Sequence, residues 1–140
     1  MKATELMIGD LVCLKDDTKC ELPLKVDGVL TDDISLEGEG FLGGAEGLIR
    51  PIPLTAEILE KNGFEMFKYD GWVHYYRIFG NGAIPFVLHS MIGGGMLSQE
   101  VDIFSTSTNT NCGIDVNYVH ELQHALRLCG LNKIADNFKL

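Results

Sequence analysis

An Asn-Gly dipeptide, Asn81–Gly82, constrains the fold more than any other feature of the sequence. This pair is the strongest sequence signal for a two-residue β-turn, because both residues tolerate positive φ angles. Pairing across the turn sets Tyr75 opposite Leu88 and His74 opposite His89. The pattern therefore predicts an antiparallel hairpin with a more apolar face, directed to the core, that carries Val73, Tyr75, Phe79, Ile84, Phe86 and Leu88.

Short β-type runs punctuated by Gly and Asp fill residues 6–50 and predict a small antiparallel sheet. Residues 8–12, "IGDLV", are followed by "VDGVLTDDISLEG" at residues 26–38. The two phrases resemble the opening of SH3-like barrels. The resemblance implies a barrel-like subdomain at the start of the chain.

Two helices are predicted from their end signals. Thr55 and Gly63 are placed to cap and to end a short helix in residues 51–64. A second helix is predicted over residues 116–129, with Asp115 as its N-terminal cap and Gly130 as the residue that terminates it. Its apolar stripe consists of Val119, Leu122, Leu126 and Cys129.

Together these elements predict an α+β fold. We expect an antiparallel β subdomain over residues 1–50. Residues 51–140 are expected to form a second part, with a linking helix, the hairpin and the amphipathic C-terminal helix packed as one compact unit. A further strand is expected at residues 98–105, before a polar loop at residues 105–111.

The last helix carries the pattern H-E-x-x-H at His120, Glu121 and His124. Over these five residues the sequence resembles the zincin metallopeptidases. The resemblance implies that His120 and His124 would bind zinc and that Glu121 would act as general base.

Three observations favour a different interpretation of the motif. Only sixteen residues follow His124, and they contain no histidine and a single acid, Asp136, as a third ligand. The two histidines lie opposite the apolar stripe, and Arg127 shares their side of the helix. The sequence therefore predicts a solvated polar face made of His120, Gln123, His124 and Arg127.

The four histidines also form two pairs, which leaves a second metal hypothesis open. His120 and His124 are one helical turn apart, and His74 and His89 are opposed in the hairpin, with Cβ atoms about 4.5–5.5 Å apart. If the helix packed over the hairpin, the four imidazoles could form a structural or transition-metal site.

The net charge and the composition indicate which partners this protein disfavours and in which cellular compartment it is expected. Eleven Lys and Arg against twenty Asp and Glu give a formal charge of -9, which disfavours nucleic acid and anionic membranes as partners. The first twelve residues lack a signal-peptide pattern, and the four cysteines form no C-x-x-C pair. We therefore expect a cytoplasmic protein whose cysteines are small buried hydrophobes.

Three phrases, "IGDLV", "IRPIPLTAEILEKNGF" and "YVHELQHALRLCG", resemble a group of small uncharacterised proteins of bacterial and prophage genomes. In that group the last helix lacks a regular second histidine, so the resemblance implies that the H-E-x-x-H pattern is accidental here. It implies no activity, cofactor or catalytic residue.

The leading functional hypothesis is a non-enzymatic protein-interaction module that binds a protein partner or itself through exposed aromatics near Trp72 and Tyr76. No dinucleotide, P-loop or nucleophile-elbow motif is present, so no cofactor is predicted. One alternative is a zinc-dependent metallohydrolase that uses His120, Glu121 and His124. A second is an acidic nucleic-acid mimic that occupies the basic groove of a protein.

Overall fold

A computed structural model describes residues 1–43, 45–69, 72–79, 84–91, 98–104 and 111–140. For residues 45–46, 69, 72, 79, 84–91, 98–104 and 111–115 the description covers the backbone alone. The chain divides into two compact units, and each is described by itself. Unit 1 contains Met1–Pro53 and Tyr118–Phe138, and unit 2 contains Leu54–Asn117 and Lys139–Leu140.

The sheet of unit 1 has five antiparallel strands in the order β4-β3-β2-β1-β5. Within the described residues β4 and β5 each pair with one neighbour, so the sheet is open and the expected barrel is not closed. The antiparallel sheet itself is confirmed. Its strands are β1 (Leu11–Leu14), β2 (Leu24–Val29), β3 (Ile34–Leu36), β4 (Gly40–Leu42) and β5 (Ile49–Pro51).

The core of unit 1 lies between this sheet and the elements from both ends of the chain. A 3₁₀ turn at Ala3–Glu5 precedes the sheet, and a short helix α1, Ala45–Leu48, lies between β4 and β5. The apolar stripe of the C-terminal helix is buried as predicted at its first three positions. The buried apolar side chains of the sheet and the 3₁₀ turn are Ala3, Leu6, Val12, Val26, Ile34, Leu36 and Ile49.

Two of the four cysteines are joined, contrary to the expectation that all are unlinked buried hydrophobes. Cys13 of β1 forms a disulfide with Cys20, seven residues further along the chain. Their Cα atoms are 5.5 Å apart, within the usual range for a disulfide. The turn between β1 and β2 brings them together, which the spacing of the cysteines did not reveal.

The C-terminal helix α3 spans Val119–Leu128, so the predicted start at residue 116 is wrong. Val116 ends a strand, and the backbone N–H of Tyr118 donates to Glu121 Oε2 at 3.0 Å, as in a capping box. The predicted end is correct, because Gly130 has a φ of 75° and the Leu131 N–H donates to the Leu126 carbonyl at 2.9 Å. A further helix that was not predicted, α4, spans Asn132–Asp136.

The sheet of unit 2 also has five antiparallel strands, in the order β10-β9-β8-β7-β6. They are β6 (Glu65–Tyr69), β7 (Trp72–Phe79), β8 (Ile84–Met91), β9 (Ser98–Phe104) and β10 (Asn111–Val116). The predicted hairpin register is confirmed, with Tyr75 opposite Leu88 and His74 opposite His89. The turn at residues 80–83 and the polar loop at 105–110 lie outside the described residues.

The strand expected after the triple glycine is present as β9, whereas β6 and β10 were not predicted. The one-sided hairpin is not confirmed where side chains are described. His74 and Tyr75 point to opposite faces, and both are buried. Unit 2 therefore buries the middle of β7 on both faces of the sheet.

The helix of unit 2, α2, spans Ala56–Lys61 and has the predicted ends. Thr55 Oγ1 accepts from the Ile58 N–H at 3.3 Å, and Gly63 has a φ of 75°. Asn62, just after the helix, holds the end of the chain by two bonds to the backbone of Lys139, at 2.7 and 2.8 Å.

The division into units differs from the predicted boundaries at the C-terminal helix. The sequence placed this helix with the hairpin, whereas α3 and α4 belong to unit 1 with the N-terminal sheet. No helix in the described part of the chain has the length and apolar character needed to cross a membrane.

We expect Gly130→Ala to destabilise unit 1 by about 1 kcal/mol, the usual cost of a left-handed conformation for a residue with a Cβ. A Cβ at Gly130 meets no atom within 4 Å, so conformational strain is the only new term. Gly47→Ala is the matched control, because Gly47 has the same open surroundings but lies in α1 without a positive φ. Urea unfolding measures both variants, and equal midpoints would contradict the assignment of Gly130 as the helix terminator.

Candidate functional site

The candidate site lies in unit 1, where α3 meets the segment that leads into β1. Gln123 of α3 is fully buried and makes three bonds to backbone groups. Its Oε1 accepts from the Leu11 N–H at 3.0 Å, and its Nε2 donates to the carbonyls of Gly9 and Ala135 at 3.1 and 2.8 Å. One side chain thus joins β1, α3 and α4.

The carboxylate of Asp10 is the second buried link between the same elements. Asp10 is 0% exposed, and its Oδ1 accepts from Arg127 Nη1 at 2.5 Å. Its Oδ2 lies 2.6 Å from His124 Nε2 and accepts from the Met7 N–H at 2.8 Å. These three hydrogen bonds, one of them from a guanidinium, offset the cost of burying the carboxylate.

His124 has a defined hydrogen-bonding role in this arrangement. Because an ionised carboxylate is only an acceptor, His124 Nε2 carries the hydrogen that points to Asp10. In the neutral ring Nδ1 is then an acceptor. Arg127 extends the network to the half-exposed Asp136, whose Oδ1 is 3.2 Å from Nη2.

His120 is the most enclosed of the site's ionisable groups after Asp10. The residue is 5% exposed, and its ring stacks on Tyr118 with centroids 5.9 Å apart. The Nδ1 atom is buried and has no hydrogen-bond partner among the described residues. Burial lowers the pKa of His120, and the nearby carboxylates of Asp10 and Glu121 oppose this effect only in part.

The predicted solvated face of His120, Gln123, His124 and Arg127 is therefore wrong. His120 and Gln123 are buried, and the other two side chains are bound to Asp10. The segment around residues 4–11 covers this side of α3, and the apolar stripe is buried as well. A helical wheel shows which side is polar, but it does not show whether another segment covers that side.

The geometry gives the residues of the H-E-x-x-H pattern structural roles. Glu121 Oε2 accepts from the Tyr118 N–H at the start of α3, and His124 Nε2 is engaged by Asp10. Arg127 lies against the same carboxylate, so a permanent cation is already present beside the two histidines. Within the described residues, no group of three or more His, Cys, Asp or Glu side chains is placed to hold a metal ion.

The second metal hypothesis involves residues of both units. His74 stacks on Phe67 of β6, with ring centroids 4.9 Å apart. Its opposition to His89 is confirmed in the backbone register, and the His89 side chain lies outside the described residues. Convergence of the four imidazoles stays a prediction.

A pocket of about 370 Å³ opens on the covered side of α3. The residues that line it come from the N-terminal segment and from α3: Thr4, Glu5, Leu6, Met7, His120, Glu121 and His124. A second pocket, of about 230 Å³, shares Glu5, His120 and Glu121 with it. The H-E-x-x-H residues thus line a pocket that is partly open to solvent.

Sequence reasoning missed Asp10 and underestimated Gln123. Asp10 stands in "IGDLV", between apolar residues at the entry to a strand, where a lone carboxylate requires buried partners if the segment packs inward. That signal was present in the sequence. Its partners lie more than 110 positions away, so pattern analysis within a local window could not identify them.

Comparisons with known proteins provide no assignment. No protein-family model, curated protein or solved structure was found to match the chain. The resemblance to small bacterial and prophage proteins therefore stays a prediction.

We expect Asp10→Asn to destabilise the protein by about 3 kcal/mol or more, because it leaves the partly buried guanidinium of Arg127 without its buried charged partner. Asp136→Asn removes a carboxylate from the same arginine at a half-exposed position and should cost at most about 1 kcal/mol. Urea unfolding at neutral pH compares the two. Similar losses in both variants would show that Asp10 is not the central contact of the network.

The enclosed ring of His120 predicts a stability that falls on acidification. Its pKa is lower in the folded chain than the value of about 6.5 expected when unfolded, so the unfolded chain binds more protons below that pH. The stability that comes from burying the neutral ring of His120 is fully present above about pH 6.5. It is lost as the pH falls from there through the lowered pKa of the folded state.

Urea unfolding of the wild type and of His120→Gln at about pH 7.5 and about pH 5.5 measures this contribution, because these values lie on either side of the pKa of about 6.5 of an unfolded histidine. The variant should lose less stability over the interval than the wild type. An equal pH dependence would show that His120 is freely protonated in the folded state.

Proposed function

We propose that the protein is a non-enzymatic interaction module that binds a protein partner. The observation that carries the proposal is the use of the H-E-x-x-H helix as a structural element. Glu121 accepts a hydrogen bond at the start of α3, and His124 is bonded to Asp10, so two of the three residues that a zinc hydrolase would need already have partners within unit 1. This arrangement favours a binding role over the hydrolase alternative.

An aromatic surface on unit 2 supports the binding role. We define it as Phe67, Tyr76 and Ile78, which share one face of β6 and β7 by register with the buried His74. Phe67 packs against His74 and lies edge-on to Tyr76, with ring centroids 4.9 and 5.5 Å apart. Exposed aromatic groups held rigid by their neighbours are typical anchors of protein interfaces.

The position of β6 adds a second reason. β6 is an edge strand of its sheet, and the side chains of its residues 65–68 are exposed. Phe67 and Ile78 expose 38% and 56% of their surface. An edge strand beside exposed apolar side chains can bind a partner by strand addition together with side-chain burial.

The cytoplasmic location predicted from the sequence stays a prediction. The Cys13–Cys20 disulfide argues against it, because structural disulfides are rare in reducing compartments. The acidic-mimic alternative rests on the net charge of -9 and stays a prediction.

Substitution of the aromatic surface tests the proposal. We expect Phe67→Ser to weaken retention of the bound partner about tenfold or more in quantitative affinity capture, since truncating a central aromatic anchor costs about 2 kcal/mol or more. Leu22→Ser is the matched control, because Leu22 is also exposed but lies in unit 1. A partner retained equally by both variants would exclude this surface as the binding site.

The zinc content of the purified protein distinguishes the proposed interaction module from the zinc-hydrolase alternative. Elemental analysis of the purified wild type and His124→Ala should give the same trace zinc, and His124→Ala should unfold at lower urea because Asp10 loses a bond. Stoichiometric zinc in the wild type that is lost in His124→Ala would overturn the proposal in favour of a zinc enzyme.

A further inference from the structure

The pocket on the covered side of α3 combines two acidic side chains with a buried histidine. Glu5 and Glu121 line it together with His120 and His124, and no Lys or Arg is among its lining residues. The guanidinium of Arg127 is directed to Asp10 and Asp136. The walls of the pocket are therefore net negative.

The hydrogen-bonding groups of the walls are mostly acceptors. The Glu5 and Glu121 carboxylates accept, and in the neutral ring of His124 with its hydrogen on Nε2, toward Asp10, Nδ1 accepts as well. Thr4 and His120 each contribute one group that can donate. A ligand that matches these walls must bring several N–H donors and a positive charge.

His120 provides an observation that is independent of the acidic residues. His120 lines both pockets, and only 5% of its surface is exposed. Its buried Nδ1 has no hydrogen-bond partner among the described residues. Burying a polar group without a hydrogen-bond partner costs free energy, so the unpartnered Nδ1 requires an explanation. The imidazole beside the carboxylates therefore indicates a binding site rather than a solvated surface.

We propose that this pocket binds an alkylammonium group, meaning a primary ammonium on a short apolar stem. The ammonium contacts the carboxylates of Glu5 and Glu121, and the stem lies along Leu6 and Met7. Such a group comes from a lysine side chain of a partner protein or from a free polyamine. The inference rests on unit 1 alone and is independent of the aromatic surface of unit 2.

The volume and charge fit this ligand class. A pocket of about 370 Å³ lies within the usual range for small-molecule sites and exceeds what a single ion needs. The chain's net charge of -9 also attracts cations at long range. An anionic ligand would meet two carboxylates and no cationic side chain in the lining of the pocket.

Titration with n-butylammonium chloride, followed by the ring ¹⁵N signals of the histidines, tests the proposal on the full chain. We expect saturable shifts of the His120 and His124 signals. The neutral isostere 1-butanol, in which a hydroxyl replaces the ammonium, should shift them little at the same concentration. Equal shifts with both probes, or no saturable shift with butylammonium, would overturn the proposal.

Charge-neutral variants separate the pocket from general attraction to an acidic protein. Glu5→Gln and Glu121→Gln should each weaken butylammonium binding about threefold or more, and both keep a side-chain oxygen for the capping bonds to Lys2 and Tyr118. Glu39→Gln is the matched control, since Glu39 is an exposed acid in the turn between β3 and β4. Equal weakening in all three would overturn the assignment to this pocket.

Two further probes distinguish the sources of the ammonium. Nα-acetyl-lysine methylamide represents a lysine of a partner protein, and spermidine represents a free polyamine. Saturable binding of either at the same histidine signals supports the site, and the tighter probe identifies the source. Failure of both would overturn the proposal even if the aromatic surface of unit 2 binds a partner.

Discussion

The buried carboxylate of Asp10 is the contact on which unit 1 depends. It receives hydrogen bonds from the backbone before β1 and from two side chains of α3, a helix more than 100 residues later in the chain. A buried charge is tolerable only when such partners surround it, and removing one partner leaves the other uncompensated. The two ends of the sequence are therefore joined by a group that is costly to leave unpaired.

Gln123, an uncharged residue, makes the second buried link between α3 and the N-terminal segment. Its three backbone bonds reach β1 and the end of α4, so the amide fixes the position of α3 along the sheet. Val119, Leu122 and Leu126 of the apolar stripe are fully buried, but apolar packing is not directional. The polar bonds decide which side of α3 faces the N-terminal segment.

This arrangement changes the meaning of the H-E-x-x-H pattern. The same spacing that would place two histidines on one zinc ion here places His124 on Asp10 and His120 beneath the N-terminal segment. Glu121 serves the start of the helix. The pocket beside these residues remains negative and rich in acceptors, which is why we assign it a cationic ligand rather than a hydrolytic reaction.

Local signals in the sequence were sufficient for the parts of the fold that short-range geometry controls. The turn signal at residues 81–82 predicted the pairing of His74 with His89, and Thr55 and Gly63 marked the ends of α2, because turns and caps depend on a few neighbouring residues. β6 was missed, since its residues lack a clean alternation of apolar and polar side chains. β10 does alternate, but its last residues, Asp115 and Val116, were assigned to the start of the following helix.

The sequence by itself determined the α+β class, the hairpin register and the apolar stripe of α3. Only the tertiary structure decided that the opposite side of α3 is covered, that Cys13 meets Cys20, and that the last helices belong with the first sheet. The physical reason is the separation along the sequence between the residues that interact. A pattern within a dozen residues fixes hydrogen bonds and polarity locally, whereas the burial of His120 and Gln123 depends on a segment more than 100 residues away.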